Sequence, residues 1–315
     1  FAQGRDTFMA VIVEARTVPR YEKTDVLAVR YNLARARYNL GEWAPCVAEL
    51  GELVPAMDLH LGARHDRTIK ARSLWAQALA ELGRIDEGIR QQRDNLGHAR
   101  ARGRIGEDLV ILQTLALAKL YRSAARFAEG AALAEPGMAE ADRHFKKPTW
   151  ITERGRWILG DLLIGADRLE AGLQALRRAA QRARALPGHA THPMWADMLQ
   201  SLALAEHRAG NQGAALETLK RAARIYIERL GADNAATLRC SVHLAWLRAH
   251  AGEPLARRAF VEAGAVYARA TGDKAIVRAE RAWMEGELAQ RAGESTAAGA
   301  KSAAEQAIRA ALGPG

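Results

Sequence analysis

The sequence predicts an all-α fold, a right-handed solenoid of antiparallel helix pairs. Three observations carry that expectation. A turn pattern recurs at 40–46, 82–88, 124–130, 166–172, 209–215, 251–257 and 292–298, at intervals of 41 to 43 residues. Small residues stand at two fixed places around each turn. The composition is 49% hydrophobic but only 6% aromatic, which suits Ala- and Leu-rich helices better than β-sheet. A period of this length marks units that cannot bury their apolar face alone and stack on their neighbours.

The second residue of each turn is Gly41, Gly83, Ala125, Asp167, Gly210, Gly252 or Gly293. Seven residues earlier stand Ala34, Ala76, Ala118, Gly160, Ala203, Ala245 and Gly286. Five residues later stand Cys46, Gly88, Gly130, Gly172, Ala215, Arg257 and Ala298. Antiparallel helices approach closely only where both carry small side chains. Glycine inside a helix costs up to ~1 kcal/mol relative to alanine, so its recurrence points to close packing. Arg257 breaks the rule, and the sixth unit is expected to pack less tightly.

Each unit therefore reads as helix A, turn, helix B. The A helices are expected at 24–40, 66–82, 107–123, 149–165, 193–209, 234–250 and 273–291. The B helices are expected at 43–60, 85–102, 126–145, 168–186, 212–230, 254–270 and 295–311. No strand pattern interrupts them, so residues 1–315 read as a single solenoid. Its repeats are placed at 24–62, 66–103, 107–146, 149–187, 193–231, 234–272 and 273–312. The opening "FAQG" matches "FAEG" at 127–130, which makes residues 1–18 a helix B. Phe8, Val11 and Ile12 then face inward against the 24–40 helix. The partner helix A, and a further signalling or DNA-binding domain, are expected upstream in a longer protein.

The stretches "YNLARARYNLGEW" at 31–43, "LGARHDRT" at 61–68 and "RLGADNAATL" at 229–238 give the array a family likeness. It resembles the tetratricopeptide repeat, whose usual unit is about 34 residues. The longer unit here is similar to that of kinesin light chains and their bacterial relatives. The resemblance implies A helices lining an inner wall that holds a peptide or a partner domain. In bacteria such arrays often follow winged-helix regulators or Ser/Thr kinases, which implies a regulatory part in signal transduction or transcription.

Counting back from each turn gives the wall positions. The expected ligand groove comprises Tyr31, Arg35 and Tyr38, then Lys70 and Gln77, then Lys119 and Arg122. It continues with Arg154, Trp157 and Asp161, then His207, then Arg239, Trp246 and His250. Asn32 joins it because the resemblance implies an asparagine that bonds a peptide backbone. Asp197, Gln200, Glu280, Trp283 and Glu287 hold equivalent positions in the later units. Arg and Trp are enriched at binding hot spots. The alternative is that the indoles fill gaps between adjacent A helices and the charges are merely solvated.

No phosphate loop, nucleophile elbow or zinc-helix motif is present, so neither enzyme activity nor a cofactor is expected. "GHATHP", with His189 and His192, reads as a solvated loop. His243 and His250 share a helix face that His207 could approach from the preceding unit, but no metal is assigned to them. The net charge of +10 allows an acidic protein or peptide ligand, and it equally fits arginine as an ordinary surface residue of helices. Nucleic acid held in the basic groove is the alternative. Against it, aromatics are sparse and basic residues are spread over both helices of each unit. Cys46 and Cys240 read as core residues. No apolar run reaches the roughly 18 residues that span a bilayer. A cytoplasmic setting is expected, or a periplasmic one if a membrane segment lies upstream, with pairing of two copies through a terminal helix.

Overall fold

The structure is a computed structural model that describes residues 2–15, 23–103, 107–272, 274–294 and 297–312. The described residues form fifteen α-helices and no strand. They group into two compact units, Phe1–Ala124 and Ala125–Gly315. In the first lie α1 (Ala2–Ala15), α2 (Lys23–Asn39), α3 (Trp43–Leu61), α4 (Asp66–Glu81), α5 (Ile85–Arg100) and α6 (Glu107–Ser123). In the second lie α7 (Phe127–His144), α8 (Trp150–Gly165), α9 (Leu169–Ala183), α10 (Pro193–Arg208) and α11 (Gln212–Leu230). They are followed by α12 (Ala235–His250), α13 (Ala256–Thr271), α14 (Ala275–Arg291) and α15 (Ala297–Leu312). Within each unit every helix packs on the next in the chain.

The turns explain the glycine period. Gly41, Gly83, Gly210, Gly252 and Gly293 all take positive φ, between 76° and 87°. Ala125 and Asp167 adopt the same left-handed conformation at φ 55° and 60°. A side chain there costs roughly 1–2 kcal/mol, which the packed helices on either side override.

The small-residue columns mark helix crossings. A Cβ on Gly88 of α5 would stand 2.5 Å from the carbonyl oxygen of Ala76 in α4. One on Gly172 of α9 would stand 2.8 Å from the Gly160 oxygen in α8. Cys46 on α3 is buried against α2, its Sγ donating to the Ala34 oxygen at 3.2 Å.

The last two units depart from the expected phase. Arg257 is exposed and pairs with Glu294 at 3.0 Å, while Ala256 takes the buried place. In the same way Ala297 is buried and Ala298 exposed. The cause is the turn. α13 begins four residues after Gly252, whereas α3, α5 and α11 begin two residues after their glycine. Leu255, in the left-handed conformation at φ 62°, inserts this extra bend.

α1 packs on α2, with Phe8 and Val11 half-buried and Arg5 paired to Glu42 at the start of α3. Phe1 and the side chain of Ile12 lie outside the described residues. No helix is long and apolar enough to cross a membrane among the described residues.

Candidate ligand site on the A helices

In the first unit the expected wall residues lie on α2, α4 and α6. Tyr38 donates to Glu81 Oε1 at 3.2 Å, and Lys119 reaches Gln77 Oε1 at 3.4 Å. Gln77 in turn donates to the Ser73 carbonyl at 3.1 Å. Tyr31, Asn32 and Arg122 are half-buried, and Arg35 and Lys70 are exposed. Burial raises the Tyr31 phenol above its ordinary value, so it stays neutral.

In the second unit the wall is built by α8, α10, α12 and α14, and polar bonds join them in sequence. Trp157 on α8 donates its indole N–H to Ser201 Oγ on α10 at 2.8 Å. Gln200 Nε2 on α10 meets His243 Nδ1 on α12 at 3.1 Å. His243 Nε2 meets Glu280 Oε1 on α14 at 3.1 Å. If the amide donates to Nδ1, the imidazole proton sits on Nε2 and faces the carboxylate. Burial opposes the Glu280 charge, but the hydrogen bond from His243, with Arg239 nearby, holds the carboxyl below its ordinary value. Burial likewise opposes the Arg239 charge, yet Glu280, two tyrosines and Asp197 hold its guanidinium above its ordinary value. Tyr226 donates to Asp197 at the back of this network.

These bonds frame a mostly apolar cleft of about 290 Å³. Ile164, Leu204, Trp246, Trp283 and Met284 line it, with Asp161, Arg208 and Glu280 supplying charge. Beside it His207, Trp246 and His250 form an aromatic cluster with ring centroids 4.6 to 5.1 Å apart. Trp283 extends the cluster, 6.0 Å from Trp246. Several buried polar atoms here have no hydrogen-bond partner, among them Trp246 Nε1, Arg239 Nε and Gln200 Oε1. Buried polar groups are normally paired, and of these three residues Trp246 is the one that lines the cleft.

The structure refines the sequence-derived wall. Trp157, Arg154, Asp161, His207 and Arg239 are half-buried on α8, α10 and α12. Trp246, expected among the groove residues, is 3% exposed. Its indole fills the gap between neighbouring A helices, and only part of it borders the cleft. His250 is also buried. Ser201 was not picked out; its position beside Gln200 on α10 was the available signal. Nor do His189 and His192 form a solvated loop. His192 caps α10 by accepting from the Met194 amide and stacks on Trp150 at 3.9 Å. His189 lies edge-on to Trp195 at 5.0 Å.

No family model matches this chain, and no curated protein does. Solved structures do. One is the Rap conjugation gene regulator of the plasmid pLS20 in complex with the Phr* peptide. It has a TM-score of 0.67 at 11% identity, over 93% of this chain and 78% of that one. A Rap protein complexed with competence and sporulation factor gives 0.66 at 12%, over 98% and 86%. Kinesin-light-chain TPR-like repeats of Podospora anserina give 0.55 at 18%, over 66% and 98%. The fold is tetratricopeptide-like. At these identities the likeness concerns the architecture of stacked helix pairs, and the tetratricopeptide-like wall of the second unit is the face that carries the cleft.

Proposed function

We propose that this chain is a non-catalytic scaffold that holds a peptide or an unfolded protein segment against the A helices. The observation that carries the reading is the cleft of the second unit. Its apolar floor can take a side chain, and Arg208 and Glu280 in its lining can meet polar groups of a bound segment. A peptide backbone supplies the complementary groups. Two proteins of similar fold were solved in complex with the Phr* peptide and with competence and sporulation factor, which supports the same reading.

The finer parts of the proposal are a sensory or regulatory role in signalling or transcription, a cytoplasmic setting, an acidic ligand and pairing of two copies. The cleft charges are mixed, with Asp161 and Glu280 against Arg208, so an acidic ligand would have to meet Arg208 and avoid the carboxylates. Selection from a displayed library of random peptides against the full chain tests the core proposal. Enrichment of sequences with a shared apolar anchor supports it, and a selection that yields no binder contradicts it. Light scattering of the same preparation tests the pairing.

A further inference from the structure

We propose that His207, His250 and Glu287 form a site for a divalent transition-metal ion of the zinc class. The three residues lie on successive A helices, α10, α12 and α14, and each offers a ligand atom within 4.8 Å of the others. Three of their atoms are buried without any hydrogen-bond partner: His207 Nδ1, His250 Nε2 and Glu287 Oε2. The last two stand 3.7 Å apart, too far for a hydrogen bond and close enough to share an ion. Buried polar atoms left unpaired are costly in a folded protein, and a cation held among the three side chains would pair His250 Nε2 and Glu287 Oε2.

The donor set fits. Two imidazole nitrogens and one carboxylate oxygen make a three-ligand zinc site, with a further position left for water or a bound group. Zinc–nitrogen bonds of about 2.0–2.1 Å require the ligand atoms to draw together by about an ångström, within reach of side-chain rotation.

Two cations border the site. Lys301 Nζ binds Glu287 Oε1 at 2.9 Å and leaves Oε2 free. Arg291 Nη1 contacts His250 Nδ1 at 3.4 Å, longer than an ordinary hydrogen bond. A metal on Nε2 would place the remaining ring proton on Nδ1 and break that contact. Arg291 is thus expected to weaken metal binding, and Arg291→Met to tighten it. The two cysteines do not compete, because both are buried and burial pushes each thiol up to about 12. The site does not depend on the peptide reading.

The experiment is calorimetric titration of the chelator-stripped full chain with zinc sulfate, repeated with cobalt(II) to read the ligand set from visible absorption. One ion per chain is expected, with a low-coordinate cobalt spectrum. His207→Ala and Glu287→Gln should each weaken binding by more than tenfold, since even changes behind a ligand cost about 10–100-fold. His60→Ala, at an exposed histidine of α3, should leave the affinity unchanged. Glu287→Gln preserves shape, and circular dichroism of each variant separates lost binding from lost fold. Failure of the wild type to take up one ion would overturn the site. So would uptake that Glu287→Gln and His207→Ala leave unchanged.

Discussion

His243 Nε2 and Glu280 Oε1 meet at 3.1 Å and tie α12 to α14 at the edge of the cleft. The imidazole is buried, and its other nitrogen is held by Gln200 of α10. One histidine thus links three A helices through both ring nitrogens.

This link sets an acid limit. Glu280 is held below its unfolded value of 4.5, so the folded state binds its proton less readily than the unfolded chain. Its stabilisation is complete above pH 4.5 and is lost as pH falls from there through the folded value. Thermal melts of the wild type between pH 7 and 3 should show midpoints falling below about pH 4.5. Glu280→Gln should be less stable at neutral pH and lose less of its stability on acidification. Parallel curves for the two proteins would remove the linkage.

The crossing of α4 and α5 makes a second prediction. Gly88→Ala forces a methyl group against the Ala76 carbonyl and should cost roughly 1–3 kcal/mol through overpacking. Gly97, on the same helix, has nothing within 4 Å of an added Cβ. Gly97→Ala should be neutral or stabilise by up to ~1 kcal/mol, because alanine is the better helix former. Urea unfolding of the two variants checks the contrast, and equal effects would discredit the small-residue register.

Glu153 supplies a third. It is fully buried on α8, bonded to Arg156 at 3.1 Å and Arg182 at 2.9 Å. Arg156 also reaches Asp142 on α7. Removing one member of a buried ion network leaves the others uncompensated. Glu153→Ala should therefore cost about 3–5 kcal/mol, well beyond the effect of an exposed pair such as Arg258–Glu262. A loss below about 1 kcal/mol would show that water reaches the network.

The helices were legible in the sequence because their ends are set locally. A left-handed turn residue, small residues at the crossing and caps such as Thr149 and Asn234 act within a few positions of one another. The phase of α13 was not legible, because it follows from the backbone bend at Leu255, a residue with no preference for that conformation. The wall positions could be counted, but the burial of Trp246 could not. It depends on how closely three successive A helices approach, which their separate sequences do not specify. The same reason hid Glu287 as the neighbour of His207 and His250. The sequence placed His243 and His250 on one helix face with His207 within approach, whereas the His243 ring is committed to Gln200 and Glu280.

The central claim is that a peptide is held at the cleft of the second unit. Its most direct test is the fluorescence anisotropy of one library-selected peptide against the wild type, Trp283→Ala and Arg224→Ala, across a salt series. Trp283 lines the cleft, and Arg224 is exposed on α11 away from it. Trp283→Ala should weaken binding about tenfold or more, the loss of a hot-spot side chain, and Arg224→Ala should leave it unchanged. The salt dependence should be far shallower than the slope of about −0.7 to −0.9 per neutralised phosphate that nucleic acid gives. Equal affinity for the wild type and Trp283→Ala would contradict the account.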